Sequence, residues 1–146
     1  MAITSAICNS FKVEILTATH NFTASSGNTF NLALYTSSAT LNKSTTAYSS
    51  SNEISNTSGS AYSAKGLALT SVTPVLSSDT AVCDFANISW SSASFTARGC
   101  LIFNDTASGD PSVCAIDFGG DKTVTSGTFT IEFPAASAGS AIIGIA

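Results

Sequence analysis

The sequence predicts an all-β fold: an antiparallel β-sandwich or small barrel of about seven or eight strands, with one short N-terminal helix. Three observations predict it. Seven runs rich in Thr, Val, Ile and Phe have strand length and are separated by Gly, Asn, Asp and Ser. A single stretch, near the N-terminus, carries helical spacing. Only 10% of the residues are charged, so the 26 Ser and 19 Thr must cover much of the surface with hydroxyls. A chain of 146 residues buries one proper core, and one domain over residues 1–146 is expected.

Taken in order, Ile3, Ile7, Phe11 and Ile15 recur every four residues, with Thr4 or Ser5 available as N-cap, which predicts a helix over about residues 5–17. The β domain then occupies about residues 29–146. Its runs are TFNLALYT (29–36), KGLALTSVTPVL (65–76), TAVCDFANISW (80–90), SFTARGCLIFN (94–104), SVCAIDFGG (112–120), GTFTIEFP (127–134) and AIIGIA (141–146). Ser78 with Asp79, and Thr125 with Ser126 and Gly127, have the chemistry of hairpin turns and predict antiparallel neighbours. Gly119, Gly120, Asp121 and Lys122 lack phosphate-loop spacing and read as a bend. Residues 37–63 are hydroxyl-rich with few aliphatics, which predicts a long excursion outside the core.

Composition narrows the function classes. The net charge is −4 and the five cations (Lys12, Lys43, Lys65, Arg98, Lys122) are scattered, so no nucleic-acid partner is expected. No window approaches the roughly 18 apolar residues of a spanning helix, and no membrane partner is expected. The N-terminal stretch MAITSAICNSFKVEIL has no basic leader, which predicts a product that stays in the cytoplasm where it is made. Cys8, Cys83, Cys100 and Cys114 include no CxxC pair and accompany a single histidine, so neither a metal nor another cofactor is expected. Two disulfides remain arithmetically open, but the reducing compartment favours buried free thiols. His20 has no GxSxG elbow beside it and reads as a surface or helix-end residue. Asp105, Asp110 and Asp121 stand in turn-like contexts, so the chain is read as no enzyme.

One stretch singles itself out. SWSSASFTARGCLIFND (89–105) contains the only tryptophan, Trp90, and the only arginine, Arg98. Strict alternation puts Ala93, Phe95, Ala97, Gly99, Leu101 and Phe103 on a core face and Trp90, Ser92, Ser94, Thr96, Arg98 and Cys100 on the opposite one. Arg98 is then solvated, paired with a carboxylate such as Asp84 or Asp117, or in contact with another subunit.

MAITSAICNSFK, FNLALYTSSATLNKSTTAYS, SFTARGCLIFND, DFGGDKTVTSGTFTIEFP and AIIGIA, in this order, resemble a family of small virion proteins of tailed bacteriophages. The resemblance spans nearly the whole chain and implies a structural role, foremost a capsid decoration or cement protein that bridges capsomers. It implies the major capsid protein as partner, self-association into a small oligomer such as a trimer, and a location on the virion. Trp90 and Arg98 are then the expected contact residues. The alternative is a tail, neck or fibre-associated protein that displays the long loop to the host.

Overall fold

The computed structural model describes residues 2–146. In chain order the elements are β1 (Ala6–Ile7), α1 (Asn9–Leu16), β2 (Phe30–Tyr35), β3 (Leu67–Ala68), β4 (Ser71–Ser77), β5 (Thr80–Phe85), β6 (Ile88–Asn104), β7 (Ser112–Ile131) and β8 (Ile143–Ile145). They form two antiparallel sheets, one ordered β1-β7-β6-β2-β3 and one ordered β4-β5-β8. Among the described residues the fold is thus all-β with a single short helix, in a sandwich-like arrangement.

The helix is shorter than its four-residue periodicity suggests. Ile3 bridges Leu41, and Ala6 and Ile7 pair with Ala115 and Cys114, so the first apolar positions belong to strand pairing. Cys8 stands at the N-cap without a side-chain hydrogen bond. The expected cap Ser5 instead accepts the backbone N–H of Asp117.

β2 explains how the large sheet is buried on both faces. Its even positions Phe30, Leu32 and Leu34 join Cys100 and Ile102 of β6, and Phe85 and Ile143 of the small sheet, in one core cluster. Its odd positions Ala33 and Tyr35 join Leu101, Phe103 and Ala115 in a second cluster on the opposite face. Ile3, Ala39 and Leu41 cover that second face. Residues 37–63 therefore depart from the expectation of an excursion outside the core. They fold back over the sheet, burying Ala39 and Leu41 in one cluster and Ile54 and Tyr62 in the other. Few aliphatics suffice because the two large ones, Leu41 and Ile54, are both spent on buried positions.

Of the two expected turns, Ser78 and Asp79 do close the β4–β5 hairpin, with Ser77 opposite Thr80 and Ser78 at φ 53°. Thr125, Ser126 and Gly127 do not close one. β7 runs straight through them, and the extra residue bulges out between the Ala93–Gly127 and Phe95–Val124 pairs, with Ser126 at φ 46°. The expected bend at Gly119 and Gly120 is a larger bulge in the same strand. Two steps along β6, from Ala97 to Gly99, face five along β7, from Lys122 to Asp117.

Candidate functional site

Trp90 is not a contact residue on an outer face. Three steps along β6, from Trp90 to Ala93, face two along β7, from Phe129 to Gly127, and Ser92 absorbs the extra residue at φ 52°. That insertion turns Trp90 to the side of Ala93, and it is 3% exposed. Its ring stacks on Tyr62 at 6.0 Å and meets Phe95 and Phe129 edge-on. A buried indole braces its own domain and is unavailable to a partner.

Arg98 does leave the core, as alternation predicts, and its side chain is 36% exposed. It faces the five-step bulge of β7. Its Nε lies 3.4 Å from Asp117 Oδ1 and its Nη1 3.2 Å from Asp121 Oδ1. Asp117 also accepts the Gly119 N–H at 3.0 Å, so the guanidinium holds both ends of the bulge. Asp84, the other expected partner, accepts the backbone N–H of Phe85 instead.

A second charged group is equally inward-looking. Lys65 Nζ lies 2.8 Å from both Asp105 and Asp110, which flank the β6–β7 connection, and these carboxylates push its pKa upward. Glu53 accepts from the Tyr48 and Tyr62 hydroxyls at 2.6 and 2.7 Å and from the Lys65 backbone N–H at 2.7 Å. Burial and that carboxylate raise Tyr48 to about 12. The four cysteines are free thiols, and burial raises Cys83 to about 11 and Cys114 to about 12. Burial thus disfavours the thiolate of both. Among the described residues no cluster of three His, Cys, Asp or Glu is placed to hold a metal ion, and no helix is long and apolar enough to cross a membrane.

The opposite character appears where α1 meets the small sheet. A cleft of about 450 Å³ opens there, with Ile15, Ala18 and Phe22 on the helix side and Pro74, Val82 and Ile145 on the sheet side. Among the described residues no Asp, Glu, Lys or Arg lines it. Strand register sets Leu76 opposite Ala81 and Ala81 opposite Ile145, an apolar row across all three strands beside the cleft. Among the described residues, six large hydrophobic side chains are exposed, and all six lie on these elements. Val13 and Leu16 are on α1, Val72, Val75 and Leu76 on β4, and Ile145 on β8; Leu16 is 87% and Leu76 71% exposed. Apolar groups are common on surfaces when scattered; here they share three elements, with Ile145 in the cleft and the consecutive Val75 and Leu76 on opposite sides of β4. Sequence reasoning overlooked this face. Its signal was the consecutive Val75 and Leu76 after Pro74, a break in alternation on a strand whose proline suits an edge.

His20, expected on the surface or at a helix end, lies in the connection after α1 and forms part of the cleft wall. Its side chain has no solvent exposure. The departure follows from its neighbours, because the ring packs 4.9 Å from Phe11 and 6.1 Å from Phe30. Its polar partners are Asn104, whose amide nitrogen is 3.1 Å from Nδ1, and Glu14, whose carboxylate is 3.6 Å from Nε2. Set against known protein families, curated proteins and solved structures, the chain matches none of them.

Proposed function

We propose that this chain is a non-enzymatic structural protein of a tailed bacteriophage particle, a capsid decoration protein that docks on the shell and stabilises it by bridging subunits of the major capsid protein. The supporting observation is the segregation of its surface. Arg98 and Lys65 are engaged in ion pairs within the chain, while the exposed large hydrophobic side chains described lie on α1, β4 and β8, the elements beside an uncharged cleft that Ile145 lines. A face of that kind gains free energy when a partner removes it from water, roughly 25 cal/mol per Å² before the costs of association. The sequence resemblance supplies the identity of the partner. Docking is accordingly assigned to the α1/β4/β8 face and not to the β6 face first expected from Trp90 and Arg98.

The tail or fibre alternative drew on a loop displayed to the host. Within residues 37–63, Leu41, Ile54 and Tyr62 are buried anchors, while residues 55–59 are exposed. Capsids stripped of the protein and re-incubated with it provide the test. Wild type is expected to cosediment to saturation in hundreds of copies per particle, and Leu76→Lys to bind at least about tenfold more weakly while keeping its thermal midpoint. Failure of the wild type to bind capsids, with binding to tails instead, overturns the shell assignment.

A further inference from the structure

His20 is the only histidine of the chain, and Asn104 dictates its tautomer. Asn104 Oδ1 accepts the backbone N–H groups of Thr106 and Ala107 at 3.0 and 3.1 Å, which turns its NH₂ toward His20 Nδ1. The same NH₂ donates to Asn28 Oδ1 at 3.0 Å, and Asn28 Oδ1 accepts the backbone N–H of Asn21 at 2.7 Å. Nδ1 must therefore accept, and the ring proton sits on Nε2, facing Glu14. Through these bonds the cleft wall after α1 is tied to the turn that follows β6.

We propose that His20 is an acid-sensitive latch on the docking cleft: neutral, its Nδ1 accepts from Asn104 and holds one wall in place, and protonation releases that wall. A proton on Nδ1 would point at an N–H donor. Turning the Asn104 amide over would supply an oxygen to His20 but would forfeit the Thr106 and Ala107 bonds and set oxygen against oxygen at Asn28. Either rearrangement loosens the tie. Among the described residues, Glu14 of α1 is the only carboxylate that faces the ring, and it favours the charged form. The other groups around the imidazole are neutral: the Asn104 amide from β6, the Asn28 amide and Thr19 carbonyl from the connection, and the rings of Phe11, Phe22 and Phe30. Across the cleft, burial keeps the Cys83 thiol protonated.

Desolvation outweighs Glu14, so the folded pKa lies below the ordinary 6.5. The sign follows. As pH falls the unfolded chain takes up its proton first, so stability is complete above about 6.5 and is lost between that value and the lower folded one. Over that interval the unfolding constant rises by up to about tenfold per pH unit. Only the consequence for docking rests on the function proposed above; the latch itself is a property of the isolated domain.

The test is a nuclear magnetic resonance titration of the single imidazole in the wild-type protein, joined to denaturant unfolding at pH 7.5 and 5.5. The expected results are an Nε2–H tautomer at neutral pH, a midpoint below 6.5, and an unfolding constant that rises on acidification. The rise should shrink in His20→Asn, whose amide oxygen keeps an acceptor toward Asn104. A midpoint at or above 6.5, or an Nδ1–H tautomer, overturns the latch, and this holds even if His20→Asn does not fold. Capsid binding at the same two pH values separates the two readings. A depressed midpoint with no capsid binding at either pH upholds the latch and overturns docking, whereas a normal midpoint with binding lost only in Leu76→Lys overturns the latch and upholds docking.

Discussion

The β6–β7 hairpin contains two regions built from one strand pair that bury themselves differently. Near the turn, residues 99–104 pair with 112–117 and are flanked by β2 and β1, and side chains on both faces enter core clusters. Farther out, residues 88–97 pair with 122–131 and have no third strand beside them. There one face packs Trp90, Ala93 and Ala97 into the core with Phe95, Val124 and Phe129 half-buried, and the other face is a hydroxyl ladder. Ser89 bonds Thr130 at 2.9 Å and Thr96 bonds Thr123 at 2.8 Å across that ladder. A strand covered on both sides must bury any extra residue it takes, while a ribbon covered on one side can turn extra residues toward solvent. The bulges at Ser92, Ser126 and Gly119 fall in or beside the outer ribbon, whereas the extra residue of the inner half, Val113 between the Ile102–Cys114 and Phe103–Ser112 pairs, is fully buried.

The largest effect is expected in the inner half. Phe103 is fully buried, stacks on Tyr48 at 4.7 Å and belongs to the small cluster on the outer side of the large sheet. Phe103→Ala removes most of an aromatic side chain from a site closed by the 37–63 segment, and unfolding free energy should fall by about 3–5 kcal/mol. Denaturant titration with an unchanged slope checks it. A loss below about 1 kcal/mol would mean that the covering segment collapses into the space and that the inner half is less tightly enclosed than the outer.

An intermediate effect is expected in the ribbon. Phe129 is half-buried, opposite Trp90, so Phe129→Ala should cost about 1–2 kcal/mol. Trp90, as the only tryptophan, reports on the ribbon by fluorescence, whereas far-ultraviolet circular dichroism reports on all the strands. The two unfolding curves should coincide in the wild type, because Trp90 shares a cluster with Leu32 and Cys100 of the inner half. A fluorescence transition that runs ahead of the circular dichroism would make the ribbon a separate cooperative unit.

The same contrast explains what the sequence could reveal. Periodicity identifies β2, the β4–β5 hairpin and the last strand because local pattern and final pairing agree there. Arg98 was legible as leaving the core, with Asp117 one of the two carboxylates offered to it, but the register shift beside it was not: Ala97 and Cys100 enter one cluster and Leu101 and Phe103 the other, so the single core face expected from strict alternation is split at this point. Trp90 was not legible, because one extra residue at Ser92 exchanges the two faces and a serine pair carries no signal of a bulge. Ser126 takes the positive φ of a turn with a different consequence: a positive φ serves a bulge as well as a turn, and only the partner strand decides. The cleft draws on α1, the following connection and a sheet from the second half of the chain, a juxtaposition that no local pattern encodes.

The smallest effect belongs to the boundary between the two halves. Arg98 spans the β7 bulge with two partly exposed carboxylates, and such pairs in contact with water are worth about 0–1 kcal/mol. Arg98→Ala should therefore lower stability by less than about 1 kcal/mol. The deficit should shrink in about 1 M salt, where the screening length falls to about 3 Å. Hydrogen exchange should quicken at residues 118–121 and stay unchanged at 99–104, because the inner half keeps β2 at its side. The variant should also bind capsids as the wild type does, since docking is assigned to the opposite elements. A salt-independent loss above about 2 kcal/mol would instead make the guanidinium the residue that sets register for both halves, and the ribbon would then depend on Arg98 more than on its aromatic face.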